Sequence, residues 1–276
     1  METTQEHFVD DPVTAHVDEA FSMLCDHMRE AQHHPHADLR DVTVHHWIMS
    51  LGVQLRQAGL AVCSLARNGH GKAALVATRS ATECTVRIPF FMEKENRDKA
   101  CVLMIVEPLE RQRAKSHMGA LKANQQQALA ADLATARLLF RAMRPNLQKA
   151  SDEDVDEAMS KVRFPDMAFL IKRYFNDSKE YVVRYMWQSG IEHGGFMAVR
   201  QAIDEANVDG SVRLNFELSD RQENNVCLMM ASYAIVVSFW ISKFYDLKQH
   251  HDYDAVVERH FELKKVYDPM YAAIEG

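Results

Sequence analysis

Two short polar clusters interrupt otherwise apolar stretches of this chain, and both carry side chains suited to phosphate or acid–base chemistry. The first is Arg79, Ser80 and Glu83 within AALVATRSATECTVRIPFFME, continued by Arg87. At spacings i, i+4 and i+8, Arg79, Glu83 and Arg87 share one helix face, so a single carboxylate can bridge two guanidiniums. The second is Tyr185, Ser189 and His193 within KEYVVRYMWQSGIEHGG, with Tyr181 one turn earlier. A phenol, a hydroxyl and an imidazole on one ridge combine a group that titrates near neutrality with two that can hold its partner, which suits a general base or acid. Ionisable groups in apolar surroundings are costly unless paired, so the two clusters predict one shared polar site. Each also has a plainer reading. The first can be a solvated ion-pair stripe, and the second a histidine capping its helix before Gly194 and Gly195.

Taken in order, the two clusters resemble the family of domains of unknown function numbered 5677. Arg79, Ser80 and Glu83 match that family's Arg–Ser–x–x–Glu signature. Tyr185, Ser189, His193 and Gly194 match its later tyrosine-bearing helix, which ends Ser–x–x–x–His–Gly. The similarity runs over residues 70–250 or so. The family resembles the HEPN proteins, which are all-helical and include RNases and defence toxins. That resemblance implies an all-α fold, RNA as a partner, a homodimer and metal-independent cleavage of RNA. In such a reaction a base takes the 2′-OH proton and a cation meets the charge developing on phosphate. Arg79 would supply the charge, Glu83 would orient it, His193 would act as base or acid, and Ser189 and Tyr185 would position substrate. The chain departs from the usual HEPN spacing, in which Arg precedes His by one to two turns of the same helix. Arg184 is separated from His193 by eight residues, which puts the two on different sides of a helix. Arg111 with His117, and Arg40 with His45 or His46, have the fitting spacing, but composition alone produces such pairs. The competing class is a non-catalytic helical module that binds a protein partner, with the same five residues as a buried network fixing helix register.

Composition narrows the setting. With 47% hydrophobic and 26% charged residues among 276, the chain suits a folded globule rather than a disordered one. A formal charge of −7 gives no global attraction to nucleic acid, although residues 109–122, LERQRAKSHMGALK, are locally basic. Cys25, Cys63, Cys84, Cys101 and Cys227 show no CxxC spacing and fall in apolar helical patterns, as expected of free thiols in a reducing cytoplasm. The opening METTQEHFVDDPVTAH lacks the basic start and apolar core of a signal peptide, so a cytoplasmic location is expected. From Asn224 to Ser242 no residue is formally charged, which approaches the length of a membrane span. Its asparagines, serines and tyrosine, without a clear basic flank, favour a core helix instead. His33, His34, His36, His45 and His46 crowd a turn without a carboxylate or cysteine at ligand spacing, so neither a metal nor another cofactor is expected.

Helices must hold these residues, and the periodicity predicts them. Asp10–Asp11–Pro12 reads as a capped helix start, and Asn68–Gly69–His70–Gly71 as the stop of a second helix over about 41–67. A third, over about 72–94, carries the first cluster, with Pro89 expected to kink it or end it early. A fourth runs from Asn96 through LERQRAKSHM, and a fifth, alanine- and leucine-rich, stops at Pro145. Ser151 caps a short acidic helix, Lys179 to about Glu192 bears the second cluster, and Ser219–Asp220 caps a long apolar helix to about Leu247. NVDGSVRLNFELSD has the only strand character, so at most one short β-hairpin is expected near 207–218. The whole reads as one all-α, HEPN-like multi-helix bundle. Within it, residues 1–69 form an N-terminal helical pair, 70–250 a family-like core and 251–276 an amphipathic tail.

Overall fold

Asp11 opens the first helix as its sequence predicts. In the computed structural model its carboxylate accepts from the Val13 and Thr14 amides, both at 3.2 Å, and from the Thr14 hydroxyl at 2.7 Å. The structure describes residues 11–106, 108–109, 123–175, 203–206, 212–214, 220–248 and 253–267. Among them the helices are α1 (Pro12–Ala31), α2 (Leu39–Arg67), α3 (Gly71–Met92), α4 (Arg97–Ile105), α5 (Ala123–Met143), α6 (Asp152–Ser160), α7 (Met167–Phe175), α8 (Asp220–Phe244) and α9 (Tyr253–Tyr267). The protein is an all-α helical bundle with, among the described residues, one short antiparallel strand pair, β1 (Ile203–Ala206) and β2 (Val212–Leu214). The pair aligns Ile203 with Leu214 and Ala206 with Val212, with an irregularity between Ile203 and Glu205. It therefore starts before the expected 207.

Local signals end the helices too. Gly69 has φ +75°, the His70 amide returns to the Leu65 carbonyl at 2.9 Å, and the Gly69 amide to Ala66 at 3.3 Å. These two bonds satisfy carbonyls that the last turn of α2 leaves open, and the left-handed φ explains the glycine. Pro89 does not end α3 early, because the helix continues through it to Met92. Burial of Phe90 and Phe91 rewards the extra turn. At the far end of α8, Asp246 takes φ 52° and the Leu247 amide returns to Ser242 at 2.9 Å, so that helix closes at Phe244.

The chain divides into two compact units. The first comprises Met1–Pro35, Ile48–Phe90 and Met167–Gly276. Among its described residues α1 packs extensively on α8, with α9 against both. Helix α1 buries Val13, Val17, Ala20, Phe21, Leu24 and Met28; α8 buries Val226, Met230, Tyr233, Val237 and Ile241. Helix α2 comes close to α1 at Gly59, where an added Cβ would run into the Phe21 ring. The second unit comprises His36–Trp47 and Phe91–Asp166. Val102, Val106, Leu133, Phe140, Val155 and Met159 form its core. Arg137 binds Asp156 and Asp152, and Arg141 binds Asp152, tying α5 to the start of α6. Trp47 stacks on Phe91 at 5.0 Å and donates to the Ala100 carbonyl at 3.1 Å.

Among the described residues two helical stretches, Arg40–Arg67 and Gln222–Phe244, are long and apolar enough to cross a membrane, and 67% of the most apolar 18-residue window of the second is buried inside the protein. Packing of that stretch is the pattern of an interior helix.

Candidate functional site

The first cluster sits on α3. One face of that helix is a continuous buried stripe, Ala74, Thr78, Ala81, Thr85 and Ile88, all fully enclosed. This stripe turns Arg79, Glu83 and Arg87 toward the opposite face. Arg79 Nε donates to Glu83 Oε1 at 3.1 Å, and Arg87 Nη2 lies 3.0 Å from Glu83 Oε2. The three side chains keep 25%, 21% and 26% exposure. All three are therefore half-buried rather than freely solvated. Two cations share one anion at a surface that water still reaches, so the ladder can meet an anionic group without full desolvation. Ser80, its neighbour in the motif, is exposed.

The remaining predicted site residues, Tyr185, Ser189 and His193, lie outside the described residues, as do Tyr181 and Arg184.

Behind the ladder, α3 carries a buried hydroxyl network. Thr82 donates to the Thr78 carbonyl at 3.0 Å, and its oxygen lies 3.0 Å from the Tyr233 hydroxyl of α8. With the threonine proton committed to Thr78, the phenol donates to Thr82. Thr85 donates to Ala81 at 2.8 Å. Burial pushes the neighbouring Cys84 thiol up to about 11, so it stays protonated and unreactive at neutral pH.

A second constellation joins three helices. His16 Nε2 of α1 lies 3.0 Å from His260 Nδ1 of α9, and His260 Nε2 lies 2.8 Å from Ser232 Oγ of α8. Ser232 donates to the Leu228 carbonyl at 3.0 Å. With that proton placed, His260 donates to Ser232 and His16 donates to His260. His16 Nδ1 faces Glu19 Oε2 at 3.8 Å, and the same carboxylate oxygen accepts from Arg259 at 2.6 Å. His16 is fully buried and His260 is 6% exposed. Burial pushes His260 down to about 3, with Lys264 and His16 adding to the effect; burial likewise lowers His16. Both rings are therefore neutral at pH 7. The periodicity of α1 held a clue, since His16 follows Val13 by three residues on the buried face. No spacing could reveal its partners.

The second unit holds a cavity of about 690 Å³, walled by Met104, Ile105, Leu139 and Met143, with Arg40, Thr43 and Cys101 among its polar lining. Its Cys101 thiol is raised by burial. Among the described residues no three His, Cys, Asp or Glu side chains converge as a metal site. The rings of His36 and His45 lie 4.4 Å apart, and that of His46 lies 6.2 Å from His45.

The fold and the α3 ladder define a helical protein with a charged, partly exposed site on one helix. The chain belongs to the family of unknown function DUF5677, whose model matches residues 45–211. The matched span includes Arg79, Glu83 and the whole second cluster; His16, Ser232 and His260 lie outside it. No curated protein matches the chain, and no solved structure does.

Proposed function

We propose that this protein is a cytoplasmic, nucleic-acid-directed factor of defence or toxin type that cleaves RNA without a metal. The observation that carries the reading is the α3 ladder, in which one carboxylate fixes two guanidiniums at a surface still open to water. A fixed cation needs little reorganisation when charge develops on a phosphate, which is where such groups lower barriers most. Arg79 meets that charge and Glu83 holds its guanidinium in place. His193 acts as base or acid toward the 2′-OH, and Ser189 and Tyr185 position the substrate. The resemblance to HEPN proteins adds a homodimer as the working form.

The test is incubation of the purified protein with total RNA in the presence of a chelator, comparing wild type with His193→Ala. Cleavage by wild type and its loss in the variant support the reading. Equal cleavage by both, or none by either, removes it.

A second reading has its own observation: Glu83 is bonded by both arginines within the same helix, as expected of a helix-stabilising network. On that reading the protein is a non-catalytic interaction module. It would bind a protein partner equally well with His193 replaced.

A further inference from the structure

Helix α9 packs on α1 and α8 through a narrow buried face. Of its residues only Val256 and His260 are buried, while Phe261 and Val266 are 44% and 63% exposed. His260 spends both ring nitrogens on other helices, one on Ser232 of α8 and one on His16 of α1. The two imidazoles stack at 5.2 Å between centroids. A neutral imidazole donates from one nitrogen and accepts at the other, whereas an imidazolium can only donate. Two protonated rings would set N–H against N–H across the His16–His260 contact.

We propose that the His16–His260–Ser232 chain is an acid-released latch that docks α9 on α1 and α8 at neutral pH and lets it go in mild acid. The charged groups around the chain favour this direction. Helix α1 offers Glu19, already bound to Arg259; α9 contributes Arg259 and Lys264; α8 faces the rings with the neutral Ser232. An added proton therefore meets one carboxylate that is already paired and two cations. In released α9 the His260 ring meets water, where an imidazole titrates near the ordinary 6.5.

The sign follows from linkage. Both histidines are held below their ordinary value when docked, so docking is complete above 6.5 and weakens as pH falls, for His260 down to about 3. Each pH unit in that window favours release by up to about tenfold through His260, and His16 acts in the same direction.

The experiment is hydrogen–deuterium exchange on the full chain at pH 7.5 and 5.0, corrected for the intrinsic exchange rate. Helix α5 serves as the internal reference. Wild type and a His16→Gln/His260→Gln double variant, which keeps donors and acceptors but cannot titrate, are compared. The expected result is at least a tenfold loss of α9 protection at pH 5.0 in wild type, with α5 unchanged and no pH effect in the double variant. Equal wild-type protection at the two pH values overturns the latch, as does a pH effect that persists in the double variant. Should the double variant be undocked already at pH 7.5, imidazole NMR on wild type decides. Midpoints for His16 and His260 well below 6.5 while α9 stays protected support the latch, and midpoints near 6.5 with α9 still protected overturn it.

Discussion

On α3, three formal charges sit on one helix and water still reaches about a quarter of each side chain. Between α1, α8 and α9, two imidazoles sit where water hardly reaches, and both are neutral at pH 7. The contrast follows from the cost of removing charge from solvent: ionised groups persist where hydration remains, and enclosed groups give up their charge. It also separates the roles the two regions can fill. A partly hydrated ladder of two cations on one anion can exchange water for an anionic group. An enclosed neutral chain can only join helices, and it fails when protons force charge upon it.

The sharpest way to break this contrast is at the ladder. Arg79→Ala should reduce RNA cleavage by about 100-fold or more, as removal of a charge-stabilising donor does elsewhere. Its melting temperature should stay close to wild type, because a partly exposed pair adds little stability. A large fall in melting temperature with no specific loss of cleavage would move the ladder into the structural class beside the histidines.

The second effect lies in the histidine chain. His260 drops from an ordinary 6.5 to about 3 on folding, so its contribution is full above 6.5 and lost as pH falls toward 3. Denaturant unfolding at pH 5.0 should therefore show about 2 kcal/mol less stability than at pH 7.5 from this ring alone, before any carboxylate titrates strongly. Equal stability at the two pH values would mean that the ring accommodates a proton in place.

The smallest effect is expected from Glu83→Gln. It weakens both arginine contacts at a site that stays hydrated, so unfolding should become easier by less than about 1 kcal/mol. A loss of about 3 kcal/mol or more would show that the carboxylate is effectively buried.

The two regions also differ in how far the chain announces them. The ladder is legible because its partners are four residues apart, and helical spacing alone brings them together. The Asp11 cap and the Gly69 stop are legible for the same local reason. The histidine chain joins residues 244 and 28 positions apart, so it exists only once three helices have packed. Helix α3 passing through Pro89 is a milder case of the same kind. The local rule counts a lost hydrogen bond, while burial of Phe90 and Phe91 decides the outcome. The hydroxyl link from Thr82 to Tyr233 was likewise invisible, because neither residue type marks a partner 151 positions away.

On the proposed chemistry the Arg79–Glu83 pair and His193 act as one site. Imidazole NMR on the full chain tests it most directly, by following the His193 titration in wild type and in Arg79→Ala. A cation within reach holds a neighbouring imidazole's midpoint down, so removing it should raise the His193 midpoint by about half a unit or more. An unchanged His193 midpoint would mean that the two groups do not share a pocket, contradicting the proposed chemistry.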